Sequence, residues 1–313
     1  MINDINYAVF VRCITFNHAS YIEDAMNGFC MQKTNFPFVC AIFDDASTDG
    51  EIEVIRNYLH KYFDFTDNGV TRTEETDDYV LQFVRHKSNL NCYFVVVFLK
   101  YNHWRLKKNK DNYVSEWYIA SKYKAECEGD DYWIDPLKLQ KQVDFLDSHP
   151  DYSMCFHGAS IKCESNSYSE VRMHQFDGLE TREYKGEELI KKWIIPTASM
   201  VSRTNIVPPK DPRFLATDLV YRNQCTVEGR VYCFAENMSV YRLNDGGVSK
   251  NGPWNNIEKR IDHAEALMEH FPPYKAFYKD LLSKDLKRLL FSRNVFRLLS
   301  IIIKKPKLLK YLF

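Results

Sequence analysis

Along the first half of the chain, short apolar runs alternate with stretches in which apolar residues recur every three or four positions. The runs Tyr7–Ile14, Phe36–Phe43, Asp78–Arg85, Tyr123–Cys127 and Tyr152–Lys162 are rich in Val, Ile, Phe and Tyr, and each predicts a strand. Between them, Ile22, Ala25, Met26 and Phe29 share one helical face, as do Ile52, Ile55, Leu59 and Tyr62. Ser20 with Glu23 reads as a capping box for the first of these helices. Asp135-Pro136 reads as the N-cap and first turn of another that runs to about Ser148.

The stretch Asn89–Trp117 shows no clean period and predicts an irregular excursion with some helix near its end. The second half is sparser. Gly186–Trp193 and Leu215–Val227 predict helices, and Thr197–Ser202 and Arg230–Arg242 predict strands. Beyond Gly246-Gly247 the pattern is helical. Alternating strand and helix argue for a parallel, three-layer α/β domain with right-handed crossovers over residues 1–250, followed by a helical segment over 251–313.

In such sheets ligands bind at the carboxyl ends of strands. Asp44-Asp45 and Asp130-Asp131 both fall at predicted strand ends. Alone, the first pair would be a turn that caps the next helix. Together, two acidic pairs on one edge point to a site. Adjacent carboxylates raise each other's pKa unless a cation relieves them. A hard divalent ion shared with substrate phosphates is a common solution. The sequence therefore suggests metal–diphosphate chemistry.

Composition narrows the partners. Lys plus Arg number 42 and Asp plus Glu 42, so no global field draws this chain of 313 residues to nucleic acid. Lys107, Lys108 and Lys110 read as a solvated face, because no stacking aromatics recur beside them at a regular step. The nine cysteines are scattered and include no C-x-x-C pair, which supports neither a zinc site nor a disulfide framework and fits a reducing cytosol. Met1-Ile2-Asn3-Asp4 lacks the basic start of a signal peptide, and no apolar window is long enough to span a bilayer. The expected location is cytoplasmic. Lys284–Phe313 sets Lys284, Lys287, Arg288, Arg293, Arg297, Lys304, Lys305, Lys307 and Lys310 among Leu, Ile, Val and Phe, with Asp285 as its one acid. Two readings stand for this segment. It lies peripherally on an anionic membrane face, or it packs its apolar face on the domain or a second subunit.

Three motifs then occur in order: Cys13-Ile14-Thr15-Phe16-Asn17, Phe43-Asp44-Asp45-Ala46-Ser47-Thr48-Asp49 and Cys127-Glu128-Gly129-Asp130-Asp131-Tyr132-Trp133. With Asp135–Val143, Thr197–Met200 and Met238–Arg242, they resemble the family 2 inverting glycosyltransferases of the GT-A fold, of the kind that build bacterial cell-surface polysaccharides. The resemblance implies a Rossmann-like α/β/α fold with a mainly parallel sheet and C-terminal helices. It implies a nucleotide-sugar donor, a glycan or lipid-linked acceptor and Mn²⁺ or Mg²⁺. By the same resemblance, Thr15 and Asp45 would line the base pocket with Asp44 in support, Asp130 would bond the ribose or approach the metal, and Asp131 would ligate it. Asp218 would be the catalytic base. Asn244 stands where the family often has a metal-binding histidine, with Asp245 as its substitute. The alternatives are a non-catalytic nucleotide-sugar binding or scaffold subunit and a sugar nucleotidyltransferase. The latter is disfavoured by the absence of glycine from residues 12–20.

Overall fold

A computed structural model describes residues 5–164, 170–244, 256–291 and 295–312. The chain divides into two compact units. The first comprises Met1–Tyr184, Trp193–Ile206 and Gly229–Asp245, and the second Lys185–Lys192, Val207–Glu228 and Gly246–Phe313.

In the first unit, β1 (Tyr7–Thr15) leads through α1 (Ile22–Cys30) to β2 (Phe38–Asp44). From there α2 (Glu51–Tyr62) leads to β3 (Phe63–Asp64), β4 (Arg72–Glu75), β5 (Tyr79–His86) and β6 (Cys92–Leu99). Next come α3 (His103–Leu106), α4 (Ser115–Ile119), β7 (Ser121–Glu126), β8 (Tyr132–Trp133), α5 (Lys138–Ser148) and β9 (Tyr152–Cys163). The unit closes with α6 (Glu170–Met173), β10 (Arg182–Tyr184), β11 (Val201–Arg203) and β12 (Arg230–Leu243). The strands form one sheet in the order β10-β12-β9-β11-β7-β1-β2-β6-β5-β3, with β4 on β5 and β8 on β12.

The heart of the sheet, β7-β1-β2-β6, is parallel. Side chains of β1 alternate between its two faces: Val9, Val11 and Cys13 pack with α1, α2 and α5, while Phe10 and Ile14 belong to the cluster on the other face, which includes Trp117 of α4. This is the three-layer α/β/α arrangement expected from the alternating pattern. The flanks depart from it, because β5 and β11 run antiparallel to their neighbours.

Several local expectations are corrected. The supposedly irregular stretch contains β6, buried at every residue and seated between β2 and β5. A strand covered on both faces reads as a continuous apolar run without alternation, and that hid it. Lys110 of the same stretch is not solvated, being 8% exposed. Ser20 does not cap α1. The N–H groups of Tyr21 and Ile22 bond the carbonyl of His18 at 2.8 and 2.9 Å instead. Helix α5 begins at Lys138, two residues beyond Pro136, and the Asp135 carboxylate accepts from Leu137 N–H at 2.8 Å. Thr197–Ser199 is a 3₁₀ turn that precedes β11.

The second unit is helical: α7 (Gly186–Lys191), α8 (Thr217–Glu228), α9 (Ile257–His270), α10 (Lys275–Leu290) and α11 (Val295–Lys304), followed by a 3₁₀ turn at Pro306–Tyr311. Its core gathers Val220, Ile261, Phe271, Tyr278, Leu282, Leu286, Leu298, Ile301 and Leu308. Besides residues 251–313, this unit takes in two earlier stretches, so its chain is interleaved with that of the first. Among the described residues, no helix is long and apolar enough to cross a membrane.

Candidate active site

The parallel register aligns three strand ends. Thr15 of β1 lies beside Asp44 of β2. On the other side, Cys127 N–H bonds the Arg12 carbonyl and Gly129 N–H bonds the Ile14 carbonyl, both at 3.0 Å, so the chain leaving β7 continues alongside β1. The two acidic pairs thus share one sheet edge. Gly129 permits the close approach, since a Cβ there would stand 2.2 Å from Thr15 Oγ1 and 2.5 Å from Thr15 Cβ.

Thr15 is buried, and its hydroxyl bonds Glu51 at the first turn of α2 and lies 3.2 Å from His18 Nδ1. The other Glu51 oxygen accepts from His18 N–H at 2.9 Å and from the Ser47 hydroxyl at 2.8 Å. Asn17 and Ala46 adopt positive φ, 57° and 63°. The Asn17 side chain accepts from Thr48 N–H at 2.8 Å, which laces the loop after β1 to the loop after β2.

The first acidic pair is committed inward. Asp44 Oδ1 accepts from Ser47 N–H at 3.1 Å, and Oδ2 is buried with no hydrogen-bond partner. Burial pushes the Asp44 carboxyl up to about 6. Asp45 accepts from the N–H groups of His103 at 2.6 Å and Trp104 at 3.1 Å, so it caps α3 with both oxygens. Lys110 Nζ stands 3.8 Å from it.

The second pair is split. Asp131 is 1% exposed; its Oδ1 accepts from Arg242 N–H at 2.8 Å, and its Oδ2 has no hydrogen-bond partner. Burial is the main cause that raises its pKa well above the carboxylate range, and the Asp130 charge adds to it. Asp130 is presented: its Oδ2 accepts from Asn244 Nδ2 at 2.7 Å and lies 3.8 Å from His18 Nε2. Arg242 braces this corner. Its guanidinium donates to the Asp130 carbonyl at 2.7 Å, to Glu164 at 2.8 Å and to Asp24 at 2.7 Å, over the rings of Tyr21 and Tyr132.

Thr15, Asp44, Asp45, Asp130, Asp131 and Asn244 therefore all belong to the first unit and are linked through these strand ends. Asp218 belongs to the second unit. It is the second residue of α8, and Arg222 lies 3.4 Å from its carboxylate. Asp245 falls outside the described residues. Sequence reasoning passed over His18, Glu51 and the guanidinium of Arg242. A histidine in the loop directly after β1 was the available signal for the first, whereas Glu51 looked like an ordinary first-turn acid. Trp133 is a packing anchor: it is buried against Phe29, and its indole N–H bonds the Ala198 carbonyl at 2.8 Å. His157 is a core residue whose Nδ1 bonds the Gly158 carbonyl.

Among the described residues, no group of three or more His, Cys, Asp or Glu side chains is placed to hold a metal alone. An ion taking one or two carboxylate oxygens, with the rest from a diphosphate and water, needs no such cage. The unpartnered Asp131 oxygen and the presented Asp130 oxygen are hard donors of that kind. A cavity of about 560 Å³, lined by residues including Gln32, Asn35, His86 and Asn89, lies elsewhere, where β2 and β6 begin. We place the site by its chemistry at the strand ends, because ligands of such sheets bind there.

No family model matches the chain. Uncharacterized proteins of Mycobacterium bovis and Mycobacterium tuberculosis are 29% identical to it over 237 residues, 75% of this chain. The chain spans 58% of the length of these curated relatives. Among solved structures, S. aureus TarS 1–349 in complex with UDP-GlcNAc is similar with a TM-score of 0.55 and 18% identity, covering 91% of this chain and 74% of that one. The same TarS fragment in complex with UDP gives 0.52 and 17%, covering 92% and 73%. At that identity the likeness speaks to the fold, and the fold is GT-A: an α/β/α sheet domain whose strand ends carry both acidic pairs.

Proposed function

We propose that this protein transfers a sugar from a nucleotide-sugar donor to a hydroxyl acceptor, with inversion at the anomeric carbon. The observation that carries the reading is the split acidic pair after β7: Asp131 buried with one unpartnered oxygen, and Asp130 held between Asn244 and His18. The shared edge with Thr15 and Asp44 supports it, as does the likeness to TarS, which was solved with UDP-GlcNAc.

In this reading Asp130 and Asp131 would hold Mn²⁺ or Mg²⁺, which supplies charge neutralisation for a departing nucleoside diphosphate. Asn244 donates to Asp130 and so fixes the carboxylate's orientation. Arg242 holds the Asp130 carbonyl with its guanidinium and the Asp131 carboxylate with its backbone N–H, and so braces the corner. Thr15 and the β2 loop would border the nucleoside. Asp218 is proposed as the base for the acceptor proton on the sequence resemblance alone, as are a glycan or lipid-linked acceptor and a role in cell-surface polysaccharide synthesis.

The test is thermal unfolding with a panel of nucleotide sugars and nucleoside diphosphates, with Mn²⁺ and with chelator, followed by turnover of whichever donor binds. Binding to the native state alone raises apparent stability by about 2.7 kcal/mol at a hundredfold excess over Kd. The reading requires such a rise, dependent on the metal and absent in Asp130→Ala. Failure of every donor to stabilise the wild type, with or without metal, would overturn it.

A further inference from the structure

Helix α11 presents two apolar stripes, and the fold uses one. Leu298 and Ile301, 2% and 3% exposed, point into the helical core with Leu308 from the following turn. Lys305, at the end of the helix, bonds Asp262 and Glu265 of α9, so the inward face is anchored by charge as well as packing. Phe296, Leu299 and Ile303 follow the i, i+3, i+7 spacing of a second stripe and are 81%, 52% and 79% exposed. Phe291, at the end of α10, is 84% exposed. Single exposed apolar residues are ordinary, but a contiguous stripe of large ones on an otherwise docked helix calls for an occupant.

Charge identifies the occupant. Arg297 and Lys304, again i and i+7, form an exposed basic stripe beside the apolar one, and α11 contains no acid. Lys287, Arg297, Lys304 and Lys310 have no acidic partner among the described residues. A helix with an apolar stripe flanked by unpaired cations matches the surface of an anionic bilayer, where the apolar side chains enter the headgroup boundary and the cations meet lipid phosphates. A second copy of the chain would bring its own cations to the same face.

We propose that the outward stripe of α11 binds peripherally to an anionic lipid surface. The two readings of the C-terminal segment are thereby joined, since one face packs on the domain and the other meets lipid. The proposal does not rest on glycosyl transfer and stands or falls separately.

The test is co-sedimentation of the full chain with vesicles of phosphatidylcholine, alone or mixed with phosphatidylglycerol. The wild type should pellet with the anionic vesicles only and be released by high salt. Arg297→Gln with Lys304→Gln should lower the partition coefficient about 25-fold, at about fivefold per cation. Phe296→Ser with Ile303→Ser should abolish pelleting at an unchanged melting temperature, because both positions are exposed. No pelleting of the wild type, or equal pelleting of all variants, would overturn the proposal. So would wild-type self-association that Phe296→Ser with Ile303→Ser removes, since the stripe would then join two copies.

Discussion

The chain carries two Asp-Asp pairs at the ends of the strands that flank β1, and the fold treats them differently. After β2, both carboxylates turn inward. Asp45 caps α3 with both oxygens, and Asp44 is sealed beneath the loop that Ser47 closes. After β7, one carboxylate is sealed and the other is held out between Asn244 and His18. The same dipeptide therefore meets two environments: both members are taken up inside the fold after β2, and only one is buried after β7. Oxygens already spent on backbone N–H groups shape the site, whereas Asp130 at the rim and the unpartnered oxygen of Asp131 are left to meet a ligand.

Substitutions can break that contrast. The largest effect is expected from Asp130→Ala, which should cut turnover on the identified donor about 100- to 1000-fold, the usual loss when one preorganised polar group is removed from an active site. Its melting temperature should stay within a few degrees of wild type. A large loss of stability would place Asp130 with the structural acids instead.

Asp44→Asn comes next, with stability as the readout. Folded Asp44 keeps its proton up to about pH 6, while the unfolded chain releases it near the ordinary value of 3.8. Native protein therefore binds the extra proton between those limits, and stability falls as pH rises through them. Asparagine lacks that slope, so between pH 4 and 7 the wild type should lose about 3 kcal/mol relative to the variant. Urea unfolding at several pH values measures the difference, and parallel curves would contradict a sealed Asp44.

Gly129→Ala should cost about 1–3 kcal/mol, because the added methyl meets Thr15 and forces the two strand ends apart. Donor affinity should fall with it. Asp45→Ala should cost about 1–2 kcal/mol as a lost cap, the smallest effect of the four. Faster amide exchange at His103 and Trp104 would locate the damage in α3. Unchanged exchange there would show that Asp45 is not held by that helix.

Much of this was legible in the residues, and the limits have physical causes. Strands β1, β2, β7, β9 and β12 announced themselves because their apolar runs are bounded by polar turns. The run of β6 was equally apolar, but it sits among aromatics and lysines of a longer irregular stretch. Nothing local says that it inserts beside β2. Ser20 and Glu23 have the right spacing for a capping box, yet the helix starts one residue later, with the N–H groups of Tyr21 and Ile22 on the His18 carbonyl. Lys110 looked solvated because charge in a polar stretch normally is, and only the fold brings it to Asp45.

The α/β class, the alternation of β1, α1, β2 and α2, and the placement of both acidic pairs at strand ends follow from sequence alone. They depend on periodicity and turn chemistry, which act over a few residues. Which carboxylate is sealed and which is presented was settled by tertiary structure, as were the roles of His18, Glu51 and Arg242. Those depend on contacts between residues as far apart as Asp24 and Arg242, or Asp130 and Asn244. Burial and pairing at such separations are properties of the packed chain, and no local pattern encodes them.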